Sequence, residues 1–184
     1  MSADASGAPH PPDHNALPRA VRRWWLWAAL ALVTGAITVS AAGGFNIVDL
    51  ELAGTLERAD EATAGTDSET IRVAIYWDFV FVISYVLALF SGSLWTREQF
   101  TNGFGSKLGL PIAIGAVIAG VFDIVENLAM LGYLNGWGDW TGWIAVAGTM
   151  AIPKFILVFI SIAYILIGVA TWAFRSIVSH GHRR

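Results

Sequence analysis

Residues 71–94, IRVAIYWDFVFVISYVLALFSGSL, decide the fold: in this long apolar run only Arg72, at its entrance, and Asp78, within it, carry charge. About 20 residues of helix cross a bilayer core, so the stretch is predicted to be a transmembrane helix. Three further blocks have the same character: WWLWAALALVTGAITVSAA at 24–42, LGLPIAIGAVIAGVFDIVENLAML at 108–131, and WIAVAGTMAIPKFILVFISIAYILIGVATWAF at 143–174. With 55% hydrophobic residues in 184 and a mean hydropathy of +0.59, the chain is expected to be an all-α integral membrane protein. The expected architecture is an antiparallel bundle of four transmembrane helices over residues 21–175. Residues 1–20, rich in Pro, Ala and Asp, are expected to form a disordered cytoplasmic tail, and residues 176–184 a basic one.

Arginine and lysine set the expected orientation. Arg19, Arg22, Arg23, Arg97, Lys107, Arg175, Arg183 and Arg184 fall in the tails and the second loop, against only Arg58 and Arg72 near the first loop. Both termini are therefore expected in the cytoplasm of a multi-pass protein of the inner (plasma) membrane. The first loop, residues 43–70, is acidic, has a helix-compatible stretch from Ile47 to Ala62, and is expected to cap the external mouth of the bundle. Trp137, Trp140 and Trp143 with Trp77 would anchor one interface, and Trp24, Trp25, Trp27, Trp95 and Trp172 the other. A competing reading takes Arg22, Arg23 and the apolar run to Ala42 as a secretory signal with a small-residue cleavage site. The long polar leader and the WWLW start favour a retained helix.

Ionisable residues within membrane segments are costly and are usually kept for function, which singles out Asp78, Asp123, Glu126, Asn127 and Lys154. Counted from the external ends of their helices, all five lie roughly 7 to 16 Å deep, at nearly one level. Asp123, Glu126 and Asn127 at i, i+3 and i+4 share one side of a helix, which should face the bundle. Tyr85, seven residues past Asp78, turns a hydroxyl toward the same level, with Ser84 and Tyr164 as weaker members. Pro153 frees a carbonyl beside Lys154 and opens room there. Asp49 and Glu51, directly after the first helix, would hang over the cluster from the cap.

Three carboxylates against one lysine leave two uncompensated charges in a low dielectric, at several kcal/mol per ion. Protonation, a bound cation or entering water must offset that cost. Lys154 is expected within salt-bridge reach of Asp78 or Asp123. The plain structural alternative is a polar knot that only fixes helix packing.

The order WDFVFVISY at 77–85, FDIVEN at 122–127 and PKF at 153–155, with DLELAG at 49–54 after the first helix, resembles a family of small bacterial four-helix membrane proteins. The resemblance spans most of residues 24–172. It implies that Asp78, Tyr85, Asp123, Glu126, Asn127 and Lys154 belong to one shared site, and it brings no activity with it.

Several classes are excluded or weakened. The absence of cysteine removes thiol redox chemistry. His10, His14, His180 and His182 all lie in the tails, so none serves the membrane site as metal ligand or base, and no serine has a histidine partner. A net charge of -3 gives no footprint for nucleic acid. Gly103 and Gly105 are turn residues, while Gly35 and Gly115 suit helix seams. Three functions remain: a module binding or transporting a cation, a proton or a lipid headgroup; a small intramembrane enzyme using carboxylate acid/base chemistry on a lipid or isoprenoid; and an accessory subunit of a larger complex. Membrane lipids, a cation or proton, and an oligomeric or partner subunit are the partners compatible with this pattern. No cofactor is indicated.

Overall fold

The computed structural model describes residues 19–100 and 103–181, apart from the side chains of 19, 20, 140 and 179–181. The tail expected at 1–20 falls outside this range except for its last two residues, as do residues 182–184 and the side chains of His10, His14, Trp140, His180 and His182. All regular structure among the described residues is helical: α1 (Arg19–Arg22), α2 (Trp24–Ala41), α3 (Ile47–Glu51), α4 (Leu56–Thr63), α5 (Ser68–Gln99), α6 (Phe104–Leu134) and α7 (Trp140–Gly181). Four of these, α2, α5, α6 and α7, are long and apolar enough to cross a membrane.

The long helices overrun the apolar blocks because their stop and start signals lie in the polar flanks. Asp67 caps α5: its Oδ1 accepts the N–H groups of Glu69 at 3.0 Å and Thr70 at 2.9 Å, which begins the helix ahead of Ile71. Together with the Thr70 hydroxyl, these bonds hold the Asp67 carboxyl below its usual range. Past α6 the chain turns through Gly136, whose φ of 66° suits glycine. Helix α7 continues to Gly181, well beyond Phe174. The stretch RSIVSH holds no breaker, so the helix runs on into the basic tail expected at 176–184.

Helix α5 is central, packing against α2, α6 and α7. Its contact with α2 runs along a small-residue face, Ala31, Thr34, Gly35 and Thr38, with the Phe81 ring lying on Gly35. The Thr34 and Thr38 hydroxyls donate to carbonyls one turn back, at 2.9 and 3.1 Å, so this seam carries no unmet donor. Trp24, at the start of α2, meets Trp95 near the end of α5 with ring centroids 5.6 Å apart; at the other end Gly43 approaches Thr70. Between α6 and α7, the Trp143 ring packs on Gly132. Large apolar side chains such as Leu32, Val39, Phe159 and Leu166 point outward, as helices bathed in hydrocarbon require.

The segment between α2 and α5, helix-compatible from Ile47 to Ala62, folds as two short helices. Gly54, with φ of 65°, breaks it, and Thr55 caps the second piece by accepting the N–H of Arg58. This cap is docked firmly. Leu50 and Ala59 are fully buried in a core with Ile71, Ile75, Met130 and Ile144, and burying a leucine contributes about 2 kcal/mol.

Candidate functional site

Lys154 of α7 organises the site. Its Nζ donates to Glu51 Oε2 at 3.0 Å and to Asp123 Oδ1 at 3.2 Å, and it lies 2.8 Å from Glu126 Oε2. An ammonium has three donors and no acceptor; two of them are used on Glu51 and Asp123. The Glu126 contact has the right distance without hydrogen-bond direction, and neither Glu126 oxygen has a hydrogen-bond partner. The Lys154 ammonium also stands 4.6 Å from the Phe155 ring centroid, a contact within cation–π range.

The remaining members bind around this centre. Tyr85 of α5 donates its hydroxyl to Asp123 Oδ2 at 2.7 Å. Asn127 donates from Nδ2 to Asp78 Oδ2 at 2.7 Å, while its Oδ1 is buried without a partner. Asp78 has no salt bridge among the described residues; of the two partners expected for Lys154, only Asp123 is paired with it. Even so, Asp78, Glu51 and Asp123 each present a carboxylate oxygen such that all three lie within 4.8 Å of one another.

Helix geometry explains the convergence. Asp123, Glu126 and Asn127 share one side of α6 and are all buried there. On α5, Asp78 and Tyr85 are two turns apart and both inward. Lys154 follows Pro153 within a helix that continues through the proline, and the missing N–H leaves the Thr149 carbonyl without its helical donor.

The structure brings together Asp78, Tyr85, Asp123, Glu126, Asn127 and Lys154, and adds Glu51 as a full member. Glu51 is the last residue of α3 and is 4% exposed. Burial pushes its carboxyl above the ordinary range, against the pull of Lys154 and with the push of Asp123. Asp49, in contrast, is exposed in the first turn of α3 and does not join. Ser84 and Tyr164 also stay out: Ser84 donates to Val80 O within its own helix, and the Tyr164 hydroxyl donates to Gly105 O, at the end of the molecule away from the cap. Helix α2 contributes no side chain to the cluster, so three long helices and the cap form it.

Two glycines that the sequence did not single out make the Glu51 position attainable. A Cβ placed on Gly148 of α7 would stand 2.8 Å from Gly54 Cα and 3.1 Å from Gly54 N. Only glycine at 148 lets the cap approach α7 so closely. The pattern AGT at 147–149 is too common in membrane helices to have marked it.

A cavity of about 440 Å³ lies beside the cap, lined by Asp60, Thr63, Ser68, Tyr133 and Asn135 among others. It does not reach the carboxylates, which are enclosed beneath Glu51.

Comparison of the chain with protein-family models, with curated proteins and with solved structures finds no match in any of the three. The resemblance drawn from its motifs therefore rests on those motifs alone.

Proposed function

We propose that this is a membrane module that binds a small cation, a proton or a metal ion, in an intramembrane carboxylate site and passes it across or into the membrane. One observation carries the reading: Glu51, Asp78, Asp123 and Glu126 are each at most 5% exposed, and among the described residues Lys154 is the one basic side chain in the cluster. Four carboxylates against one ammonium leave three charges to offset, where each uncompensated buried ion costs several kcal/mol. A proton or cation is the direct remedy. A lipid headgroup fits less well, because the cavity beside the cap does not open onto the cluster.

The proposed arrangement in the membrane is an antiparallel four-helix bundle with both termini cytoplasmic and the cap external, in a bacterial plasma membrane. In its support, Arg22, Arg23, Arg97, Lys107 and Arg175 gather at the end opposite the cap, and Arg175 donates to Gln99 O there. The cluster then lies on the external side, with Glu51 closing it.

The test is cation and proton flux in proteoliposomes holding the purified full chain, measured with pH- and ion-sensitive dyes. The expected result is flux that Asp123→Asn abolishes. Absence of flux and of cation uptake in the unmodified protein overturns the proposal, as does unchanged flux in the variant.

A further inference from the structure

Taking the cluster as a cation site, we infer that it holds a divalent, oxygen-preferring metal ion between Glu51, Asp78 and Asp123, with Lys154 as a tethered competitor for the same carboxylates. The donor set comes first. The three residues offer oxygens within 4.8 Å of one another, the chain has no cysteine, and its histidines lie at 10, 14, 180 and 182. Carboxylate without sulfur or imidazole suits Mg²⁺, Mn²⁺ and Ca²⁺, not Zn²⁺ or Cu²⁺. Two oxygens on opposite sides of Ca²⁺ are about 4.6 to 5.2 Å apart and of Mg²⁺ about 4.0 to 4.2 Å, from bond lengths of ~2.3–2.6 and ~2.0–2.1 Å. All three oxygens lie within 4.8 Å of one another, inside the span available around Ca²⁺; the smaller Mg²⁺ needs them drawn closer.

Two buried groups point independently to a missing partner. Glu126 is fully buried and its Oε1 has no hydrogen-bond partner, while its Oε2 touches the same ammonium that holds Glu51 and Asp123. That orphan oxygen therefore belongs to the same enclosure. Asn127, equally buried, donates to Asp78 and leaves Oδ1 unpaired. Rotation of its amide would turn oxygen toward Asp78 and supply a neutral fourth ligand.

Charge favours a divalent ion over a monovalent one. Four carboxylates and one ammonium sum to -3; a divalent ion reduces this to -1, a monovalent ion only to -2. Lys154 already engages Glu51 and Asp123, which leaves Asp78, without a salt bridge among the described residues, as the ligand outside that competition. Glu51 rides on the cap, so the cap supplies a ligand as well as a cover.

The test uses Mn²⁺ as the probe, followed by electron paramagnetic resonance on the full chain in detergent, with Ca²⁺ and Mg²⁺ as competitors. The expected result is one Mn²⁺ per chain, with affinity reduced at least tenfold in Asp78→Asn and in Glu51→Gln while helix content and elution volume are unchanged. Lys154→Met should bind Mn²⁺ more tightly than the unmodified protein and should gain thermal stability from Mn²⁺ relative to chelator. This second readout works even if that variant is poorly stable alone. Mn²⁺ binding that ignores both carboxylate changes, or no stabilisation of Lys154→Met, overturns the inference. If no divalent ion binds but proton flux persists, the inference fails and the broader cation reading stands; if neither is seen, both fail.

Discussion

Gly54 of the cap and Gly148 of α7 meet backbone to backbone, and this contact places Glu51 in hydrogen-bond reach of Lys154, 103 positions later in the chain. A methyl at 148 would meet main chain, not a flexible side chain. Neither partner can give way without moving the cap.

Gly148→Val should therefore lift the cap, with a loss of about 1–3 kcal/mol, the usual range for overpacking. Carbodiimide labelling of Glu51, read by mass spectrometry, should rise sharply in the variant. Gly115→Ala is the control, because its Cβ would only touch Leu157 at 3.4 Å. Equal labelling in the two variants would count against the contact as the seat of the cap.

Lys154→Met strands three carboxylates and should cost roughly 3–5 kcal/mol when no metal ion is supplied. Double-mutant cycles should show strong coupling of Lys154 to Glu51, Asp123 and Glu126 and weaker coupling to Asp78, which bonds to Asn127 instead. Equal coupling for all four acids would contradict the geometry.

Acidity should stabilise the chain through Glu51. Its folded carboxyl is raised above the ordinary 4.5 by burial, so the folded state binds the proton more tightly than the unfolded state. The associated stability is fully present below about pH 4.5 and is lost as pH rises through the folded value. Melting temperature in chelator should fall with rising pH over this window, and Glu51→Gln should flatten the slope. An unchanged slope in the variant assigns the effect to another group.

Replacing Glu51, Asp78, Asp123, Glu126 and Lys154 together by Gln, Asn, Asn, Gln and Met removes the ionic set without leaving a lone charge, a change often close to neutral for stability. The expected protein is folded and abundant but inactive in flux and Mn²⁺ binding. Full retention of flux would show that the cluster only fixes helix packing.

Much of this was legible from residue spacing. The four apolar blocks identified the long helices, and the i, i+3, i+4 pattern of Asp123, Glu126 and Asn127 showed which side of α6 turns inward. Glu51 was harder to weigh, since a carboxylate in an acidic loop is ordinarily solvated; what buries it is the packing of Leu50 and the glycine contact, both tertiary. Tyr164 was misplaced because an inward face extends along the whole helix, and periodicity gives the side without the level. Asp49 shows the reverse error: nearness to Glu51 in sequence, on a helix of little more than one turn, still put it on the outer side.

Lys154 also comes last. Ribosomal synthesis delivers Glu51, Asp78, Asp123 and Glu126 before Lys154, and the 28 residues from Glu126 to Lys154 occupy about 1.5 to 6 s at ~5–20 residues per second. Throughout that interval these four acids lack the ammonium that three of them pair with in the fold. A chain truncated before α7 is left permanently in that condition, which makes the last helix the step that completes the ion pairing of the cluster.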